Sequence, residues 1–249
     1  MKIISKNGIS RRELNKRILI SAVGAALTSI MPSAATSAQT DQPLKIGIVG
    51  SGLIGGSVGL RWAEAGHEIL FSSRHPEELE DLVQKAGPPT RAGFPNEAAE
   101  FGEVVFIAVP YHAMPQVGKD LSPLLQGKIV IDCGNPYPRR DGEMANAALE
   151  KGTGVASLEF FPGVRLVRAY NAISYRSINQ QAHRDGELIG IPLAGDDEEA
   201  VRVTARLISD SGFDPVFVGP LSRAREFDQG TDVYVKNMTA RELRQALGL

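Results

Sequence analysis

Short apolar runs alternate with stretches of helical periodicity from residue 44 onward. The first apolar run covers residues 44–49, a glycine-rich turn follows it directly, and a second apolar run covers residues 68–71. A helical pattern begins at Ile54, between the two runs. Uninterrupted apolar runs are typical of buried parallel strands. The order strand, glycine turn, helix and strand predicts a nucleotide-binding βαβ unit over residues 44–74.

The alternation of helix and strand patterns continues beyond this unit. A helix is predicted over residues 76–85, because a proline followed by acidic residues favours a helix start. Strands are predicted over residues 103–109 and 128–132, with a helix over residues 113–125 between them. This rhythm predicts an α/β fold with a doubly wound parallel sheet, the Rossmann fold, and right-handed crossovers.

The glycine turn supplies the first candidate binding residues. They are Gly50, Ser51, Gly52, Leu53, Ile54 and Gly55. In a nucleotide-binding reading, Gly50 permits a tight turn, Gly52 lets the backbone approach a pyrophosphate, and Gly55 lets the helix lie close to the strand. The pyrophosphate would lie at the helix N-terminus, where unpaired N–H groups favour an anion. The alternative is a glycine-rich turn with only a structural role.

The end of the second predicted strand indicates which dinucleotide binds. Enzymes specific for NAD usually carry Asp or Glu there, about 20 residues past the first glycine, to hold the ribose 2′-hydroxyl. This chain has Ser72, Ser73, Arg74 and His75 instead. Two hydroxyls and a guanidinium suit a 2′-phosphate, which arginine can bind with two parallel hydrogen bonds. The cofactor is therefore predicted to be NADP(H); the alternative is a solvated loop that carries an arginine.

Two further strand ends are predicted to surround the nicotinamide, because ligands of such sheets lie beyond the carboxyl ends of the strands. Val109 and Pro110 end one strand, and Tyr111 or His112 either shapes the ring pocket or caps the strand. After the next strand, Asn135 either donates amide hydrogen bonds to the ribose or carboxamide, or belongs to an ordinary Asn-Pro turn.

The first 38 residues are predicted to be a twin-arginine-like export signal rather than part of the fold. Arg11 and Arg12 precede an uncharged stretch over residues 18–31, which is short for a transmembrane helix and suits a signal peptide. Cleavage is expected between Ala38 and Gln39, leaving an NADP-binding domain over residues 41–249 without a membrane span. The expected location is periplasmic or secreted. The alternative is an amphipathic N-terminal helix.

The net charge and the amino-acid composition exclude several classes of partner and ligand. The first 38 residues hold six basic residues and one acidic residue, so the remainder has 21 basic and 28 acidic residues and a net charge of about −7. A surface of this sign does not favour nucleic acid or anionic lipid. The single cysteine, Cys133, rules out an internal disulfide, and the four histidines show no metal-ligand spacing, so no metal site is expected.

The second half of the chain carries the more specific motifs. They are RLVRAYNA over residues 165–172, IPLAGD over 191–196, GFDPVFVGP over 212–220 and the following LSRAR. Together with GSGLIGG and AVPYHAMPQV, they resemble the NADPH-dependent reductases of the deazaflavin coenzyme F420. The first half alone is also similar to pyrroline-5-carboxylate reductases.

The resemblance implies a single compact domain whose sheet is extended by further α/β units. It implies direct hydride transfer between the nicotinamide and a flat heterocycle, coenzyme F420 or a flavin, with no catalytic side chain because alignment suffices. It also implies roles for residues. The segment from Gly50 to Gly55 would hold the pyrophosphate, Ser73 and Arg74 the 2′-phosphate, and Val109 and Pro110 would flank the nicotinamide. The second substrate would lie beside His112, Asn171, Gly195 and Ala224.

The leading hypothesis is thus an exported NADP-dependent oxidoreductase with a small-molecule redox acceptor. One alternative is an NADP(H)-binding carrier or sensor without turnover. The other is an imine or small-carbonyl reductase that works as a homodimer.

Overall fold

The computed structural model of the protein describes residues 42–249, which form one compact unit. The predicted export signal over residues 1–38, with Arg11, Arg12 and the cleavage position after Ala38, lies outside the described residues and stays a prediction.

The described residues form the strands β1 (Lys45–Val49), β2 (Glu68–Ser72), β3 (Arg91–Gly93), β4 (Val104–Ile107), β5 (Ile129–Asp132), β6 (Arg165–Ala169), β7 (Gly190–Gly195) and β8 (Asp214–Gly219). The four strands that the apolar runs predict are β1, β2, β4 and β5, and each begins and ends within about two residues of its predicted range. The α-helices are α1 (Leu53–Glu64), α2 (Glu80–Ala86), α3 (Pro95–Phe101), α4 (Met114–Leu125), α5 (Pro138–Asp141), α6 (Glu143–Lys151), α7 (Thr153–Phe160), α8 (Tyr175–Gln181), α9 (Glu198–Asp210) and α10 (Ala240–Ala246). Short 3₁₀ helices cover Pro76–Leu79, Tyr111–Ala113 and Leu221–Phe227.

These strands form a mostly parallel sheet in the order β3-β2-β1-β4-β5-β6-β7-β8. The predicted α/β Rossmann fold is confirmed, and β1 to β6 are parallel. The last two strands differ from a purely parallel sheet, because β7 is antiparallel to β6 and β8 is parallel to β7. The helix between β6 and β7, α8, hydrogen-bonds to α1 through Asn179 and Ser57 and does not carry the chain back to the other end of β6.

Helices cover both faces of the sheet because neighbouring strand residues point to opposite sides. On one side, Phe106 of β4 packs edge to face with Trp62 of α1 and with Tyr170, at ring-centroid distances of 5.3 and 5.8 Å. On the other side, Val105 and Ile107 belong to a second core cluster that includes Met114 of α4. This is the layering of a doubly wound sheet.

A fully buried arginine joins the carboxyl ends of β5 and β6 to the segment after β8. Arg168 of β6 donates hydrogen bonds to Asp132 Oδ2 at 2.8 Å, to Asp228 Oδ1 at 3.0 Å and to the Gly134 carbonyl at 2.8 Å. Its remaining nitrogen lies 3.2 Å from Asn135 Oδ1. The three nitrogens of one guanidinium thus join the end of β5 and the loop that follows it to Asp228.

The neighbouring carboxylates keep Arg168 charged inside the protein. Burial alone would lower the pKa of Arg168, but the charges of Asp228 and Asp132 outweigh burial and raise it. Burial raises the pKa of Asp132, and the guanidinium together with the Gly134 N–H offsets part of that rise. A buried carboxylate without its cation is costly, because the low dielectric leaves the charge unsolvated.

We expect Arg168→Met to lower the free energy of unfolding by about 3–5 kcal/mol, because it leaves two carboxylates in the interior without a partner. Urea unfolding followed by circular dichroism measures the loss. The control is Arg241→Met, which breaks the exposed ion pair with Glu187 and should cost far less. Equal losses in the two variants would contradict the role of the buried network.

Candidate functional site

The amino end of α1 faces open space. Gly52 precedes the helix, and a Cβ added to it would meet nothing within 4 Å. No side chain caps this helix end, and its first turn contains no acidic residue. The first N–H groups of a 12-residue helix therefore point to a region without a protein acceptor, which is the arrangement that binds an anion.

The other two glycines of the turn serve the backbone itself. Gly50 has a φ of +93°, a left-handed conformation that favours glycine. A Cβ on Gly55 would lie 2.0 Å from the Gly50 carbonyl oxygen, so only glycine lets α1 pack this close to the end of β1. Between them, the Ser51 hydroxyl accepts a hydrogen bond from the Ser72 N–H at 2.9 Å and joins the turn to β2.

At the end of β2, only part of the predicted phosphate pocket faces outward. Ser72 is fully buried, and its hydroxyl donates to the Ile48 carbonyl at 2.7 Å, so Ser72 does not line the pocket as expected. Ser73 is half-buried, and its hydroxyl accepts from the His75 N–H. Arg74 is exposed, and within residues 42–249 its side chain has no ion pair or hydrogen bond. A guanidinium and one hydroxyl remain for a 2′-phosphate.

The segment after β4 contributes surface at two positions and support at a third. Val109 is half-buried and Pro110 is exposed. Tyr111 is fully buried, with its ring 6.0 Å from that of Phe160, so it supports the segment from inside and does not shape the ring pocket. Burial raises the pKa of Tyr111 to about 12, and its phenol is therefore neutral at physiological pH.

Two asparagines lie at the adjacent strand ends. Both sides of the Asn135 amide are engaged, since Nδ2 donates to the Asn171 carbonyl at 2.8 Å and Oδ1 accepts from Arg168. Asn135 thus holds the loops after β5 and β6 together, which differs from the predicted direct contact with ribose or carboxamide. Asn171 donates to the Phe227 carbonyl, and its buried Oδ1 has no hydrogen-bond partner within the described part of the chain. It is an unsatisfied acceptor inside the fold, with almost no surface open to a ligand.

His112, in the 3₁₀ helix after β4, contacts a residue that sequence reasoning missed. Its Nδ1 lies 2.8 Å from Oδ1 of Asp141, the last residue of α5. The Asp141 side chain is fully buried, whereas the His112 side chain is 53% exposed. Because 29 residues separate the two, no local pattern signals the pair.

Two residues expected beside the second substrate lie elsewhere. Gly195 ends β7, whose antiparallel direction brings it opposite Val167 and toward the amino end of β6. There it lines a groove of about 570 Å³ with Phe217 and Pro220. Ala224 is fully buried inside the fold. The structure therefore brings neither Gly195 nor Ala224 to the site at Gly52.

The remaining residues fit an NADP molecule. The space above Gly52 would be filled by a Cβ and is open to a pyrophosphate. Arg74 and Ser73 supply donors for the 2′-phosphate. From residue 42 onward, no group of three or more His, Cys, Asp or Glu side chains is placed to hold a metal ion. In the same region, no helix has the length and apolar character needed to cross a membrane.

Comparison with known proteins agrees with this geometry. Residues 45–136 match the family model described as NADP oxidoreductase coenzyme F420-dependent. Metalloreductase STEAP3 of Rattus norvegicus is 31% identical over 187 residues, covering 74% of this chain and 36% of the rat protein. The chain thus spans little more than a third of the length of the metalloreductases that it matches. F420-dependent NADP reductase of Methanocaldococcus jannaschii is 26% identical over 208 residues, covering 77% of this chain and 91% of the archaeal one.

Solved structures share the fold. A hypothetical protein, SMa0349, from Sinorhizobium meliloti has a TM-score of 0.69 and 25% identity, covering 79% of this chain and 95% of its own. A pyrroline-5-carboxylate reductase from Coxiella burnetii has a TM-score of 0.52 and 15% identity, covering 71% of this chain and 59% of its own. The resemblance read from the motifs is therefore confirmed: residues 45–136 match the model of the coenzyme F420-dependent NADP oxidoreductases, and most of the chain is similar to an F420-dependent NADP reductase.

Proposed function

We propose that the protein transfers hydride between NADP(H) and a flavin or deazaflavin acceptor. The observation that carries this proposal is the open space at the amino end of α1, where Gly52 leaves room for a pyrophosphate and no protein group caps the helix.

The choice of NADP over NAD is supported by the residues after β2. A carboxylate there would bind a 2′-hydroxyl and repel a 2′-phosphate. The chain has Ser73 and Arg74 at this place, and the guanidinium is exposed and faces no carboxylate partner within the described range. Arginine binds phosphate through two parallel hydrogen bonds, so a 2′-phosphate would gain more from Arg74 than a hydroxyl would.

The proposed reaction depends more on the alignment of the two rings than on reactive side chains. When bound, the nicotinamide supplies or accepts the hydride, and the protein places the two rings against each other. Val109 and Pro110 offer a wall at the end of β4, and the Arg168 network holds Gly134 and Asn135 in one position at the end of β5.

The acceptor class is supported by how completely the relatives align. The archaeal F420-dependent NADP reductase is matched over 91% of its length, whereas the metalloreductases are matched over 36–39%. A whole-length relation favours an activity that this domain carries out alone. Exposed apolar surface near the site, on Leu53 and Tyr137, also suits a flat heterocycle.

The acceptor is tested by mixing purified protein with NADPH and either flavin mononucleotide, coenzyme F420 or 1-pyrroline, and following the loss of NADPH absorbance. We expect consumption with the flavin or the deazaflavin and none with the imine. Turnover with 1-pyrroline alone would favour an imine reductase. Binding of NADPH without turnover of any acceptor would favour a carrier or sensor and contradict the proposal.

Gly52→Val is expected to lower the affinity for NADPH by about 100-fold or more, while the protein stays folded. The added side chain enters open space, so it meets no protein atom but occupies the place of the pyrophosphate. Calorimetric titration measures affinity, and urea unfolding measures stability. Gly55→Ala is the contrasting variant, because its methyl group collides with the Gly50 carbonyl and should destabilise the fold itself. Unchanged NADPH affinity in Gly52→Val would show that the turn is only structural.

Arg74→Ala is expected to weaken NADPH binding by roughly 10- to 100-fold and NADH binding by little, because one or two charge-assisted hydrogen bonds to the 2′-phosphate are lost. Equilibrium titration with both nucleotides gives the ratio. Arg202→Ala, which removes an exposed arginine beside the distant groove, serves as the control and should leave both affinities unchanged. Equal losses for NADPH and NADH would argue against a 2′-phosphate site at Arg74.

A further inference from the structure

The pair of His112 and Asp141 lies between the loops that follow β4 and β5. His112 is two residues past Pro110, and Asp141 closes the short helix that begins at Pro138. The hydrogen bond between them is 2.8 Å long. The pair therefore lies at the edge of the sheet where the proposed function places the acceptor, and the inference below rests on that function.

Asp141 is held as an ionised acceptor. Its Oδ2 accepts from the Tyr137 N–H at 2.8 Å, and Arg140 donates to both carboxylate oxygens, each at 2.8 Å. Burial works against the charged form, but the hydrogen bonds from Arg140, Tyr137 and His112 lower the pKa of Asp141 well below its ordinary value. An ionised carboxylate only accepts hydrogen bonds. Nδ1 of His112 therefore carries a proton and donates a hydrogen bond to Asp141 Oδ1.

The other ring nitrogen of His112 is free. Within the described residues its Nε2 has no hydrogen-bond partner, and about half of the side chain is exposed. His67 shows the contrasting arrangement. Its Nδ1 accepts from the Leu44 N–H at 3.1 Å and its Nε2 lies 3.0 Å from Asp210, in a ring that is almost fully buried. Both ring nitrogens of His67 are thus hydrogen-bonded inside the fold, whereas His112 is hydrogen-bonded at Nδ1 and leaves Nε2 open to a ligand or solvent.

We propose that His112 Nε2 exchanges the proton that accompanies hydride transfer, and that Asp141 positions the imidazole for it. Reduction adds two electrons and one hydrogen nucleus to the acceptor ring as hydride, and oxidises the nicotinamide by the same two electrons. The added negative charge resides on a ring nitrogen of the acceptor. The Nε2–H bond of the imidazolium breaks, its proton forms an N–H bond on that nitrogen, and the bonding pair stays on Nε2. Solvent then returns a proton to the exposed imidazole, and the reverse reaction runs through the same steps.

Asp141 contributes by fixing the tautomer and orientation of the ring. A carboxylate at Nδ1 keeps the proton of the neutral ring on that nitrogen and leaves Nε2 as the only exchanging nitrogen. An amide in its place would donate to Nδ1 and move the proton of the neutral ring to Nε2. Asp141 is thus a positioning residue, and His112 is the residue that would contact the acceptor.

The kinetic experiment compares wild type, His112→Ala and the control His183→Asn, which removes an exposed histidine in a loop beside Gly212. NADPH is the donor, and flavin mononucleotide and coenzyme F420 are the acceptors. We expect His112→Ala to lower kcat about 100-fold while the affinity for NADPH stays within about twofold, because general acid catalysis typically contributes 10²–10⁴-fold. Added imidazole should restore part of the rate in His112→Ala, and His183→Asn should match wild type.

A spectroscopic experiment needs no turnover. Nitrogen NMR of the nucleotide-free protein should show neutral His112 protonated at Nδ1, and Asp141→Asn should move that proton to Nε2. Asp141→Asn keeps an acceptor for the Tyr137 N–H, so the loop should remain folded, and its kcat should fall with little change in the KM for NADPH.

The outcomes separate this inference from the proposed function. Turnover by wild type together with an unchanged kcat in His112→Ala would overturn the inference and leave the function standing. A neutral His112 protonated at Nε2 in wild type would overturn it as well. A wild-type protein that oxidises NADPH with neither acceptor would contradict both.

Discussion

The uncapped amino end of α1 is the constraint on which the rest of the site depends. Gly55 lets the helix lie against the Gly50 carbonyl, and Gly52 leaves the space above the helix end empty. Nothing in residues 42–249 provides an anion for these N–H groups, so the fold leaves this helix end open to an anionic ligand. Arg74, two residues past the end of the adjacent strand β2, adds a second place for an anionic group at the same edge of the sheet. These two places together suit the proposed cofactor NADP(H), which carries a pyrophosphate and a 2′-phosphate.

The other half of the site depends on buried charge. Arg168 binds two carboxylates and two groups of the loop after β5 at once, so the loops on either side of the proposed acceptor are held by one network. Such a network gains little net stability over an apolar core, but it allows one arrangement only. Hydride transfer benefits from that rigidity, because the reacting atoms must stay within about 3–3.5 Å of each other. The exposed imidazole of His112 lies beside this rigid part, where proton exchange with solvent remains open.

Local features of the sequence predicted the fold and the glycine turn at which we propose that the nucleotide binds. The elements β1, α1 and β2 follow from apolar runs and glycines that act within a few residues. The burial of individual side chains and the direction of β7 were not predictable in the same way. Ser72 and Tyr111 lie in the right segments, but their side chains point inward, a choice made by packing across the sheet. Gly195 was predicted to lie beside the second substrate. It lies toward the amino end of β6 instead, because β7 is antiparallel to β6, and that reversal depends on the path of α8. The contact of Asp141 with His112 and those of Arg168 join residues about 30 apart or more, so no sequence spacing reveals them.

The central claim is that this crevice binds NADP through the helix end and a single guanidinium. A crystal structure of the protein soaked with NADP+ tests it most directly. The account predicts pyrophosphate oxygens within hydrogen-bond distance of the N–H groups that follow Gly52, and a 2′-phosphate paired with Arg74. A crevice without nucleotide density at a saturating concentration, or a 2′-phosphate directed away from Arg74, would contradict it.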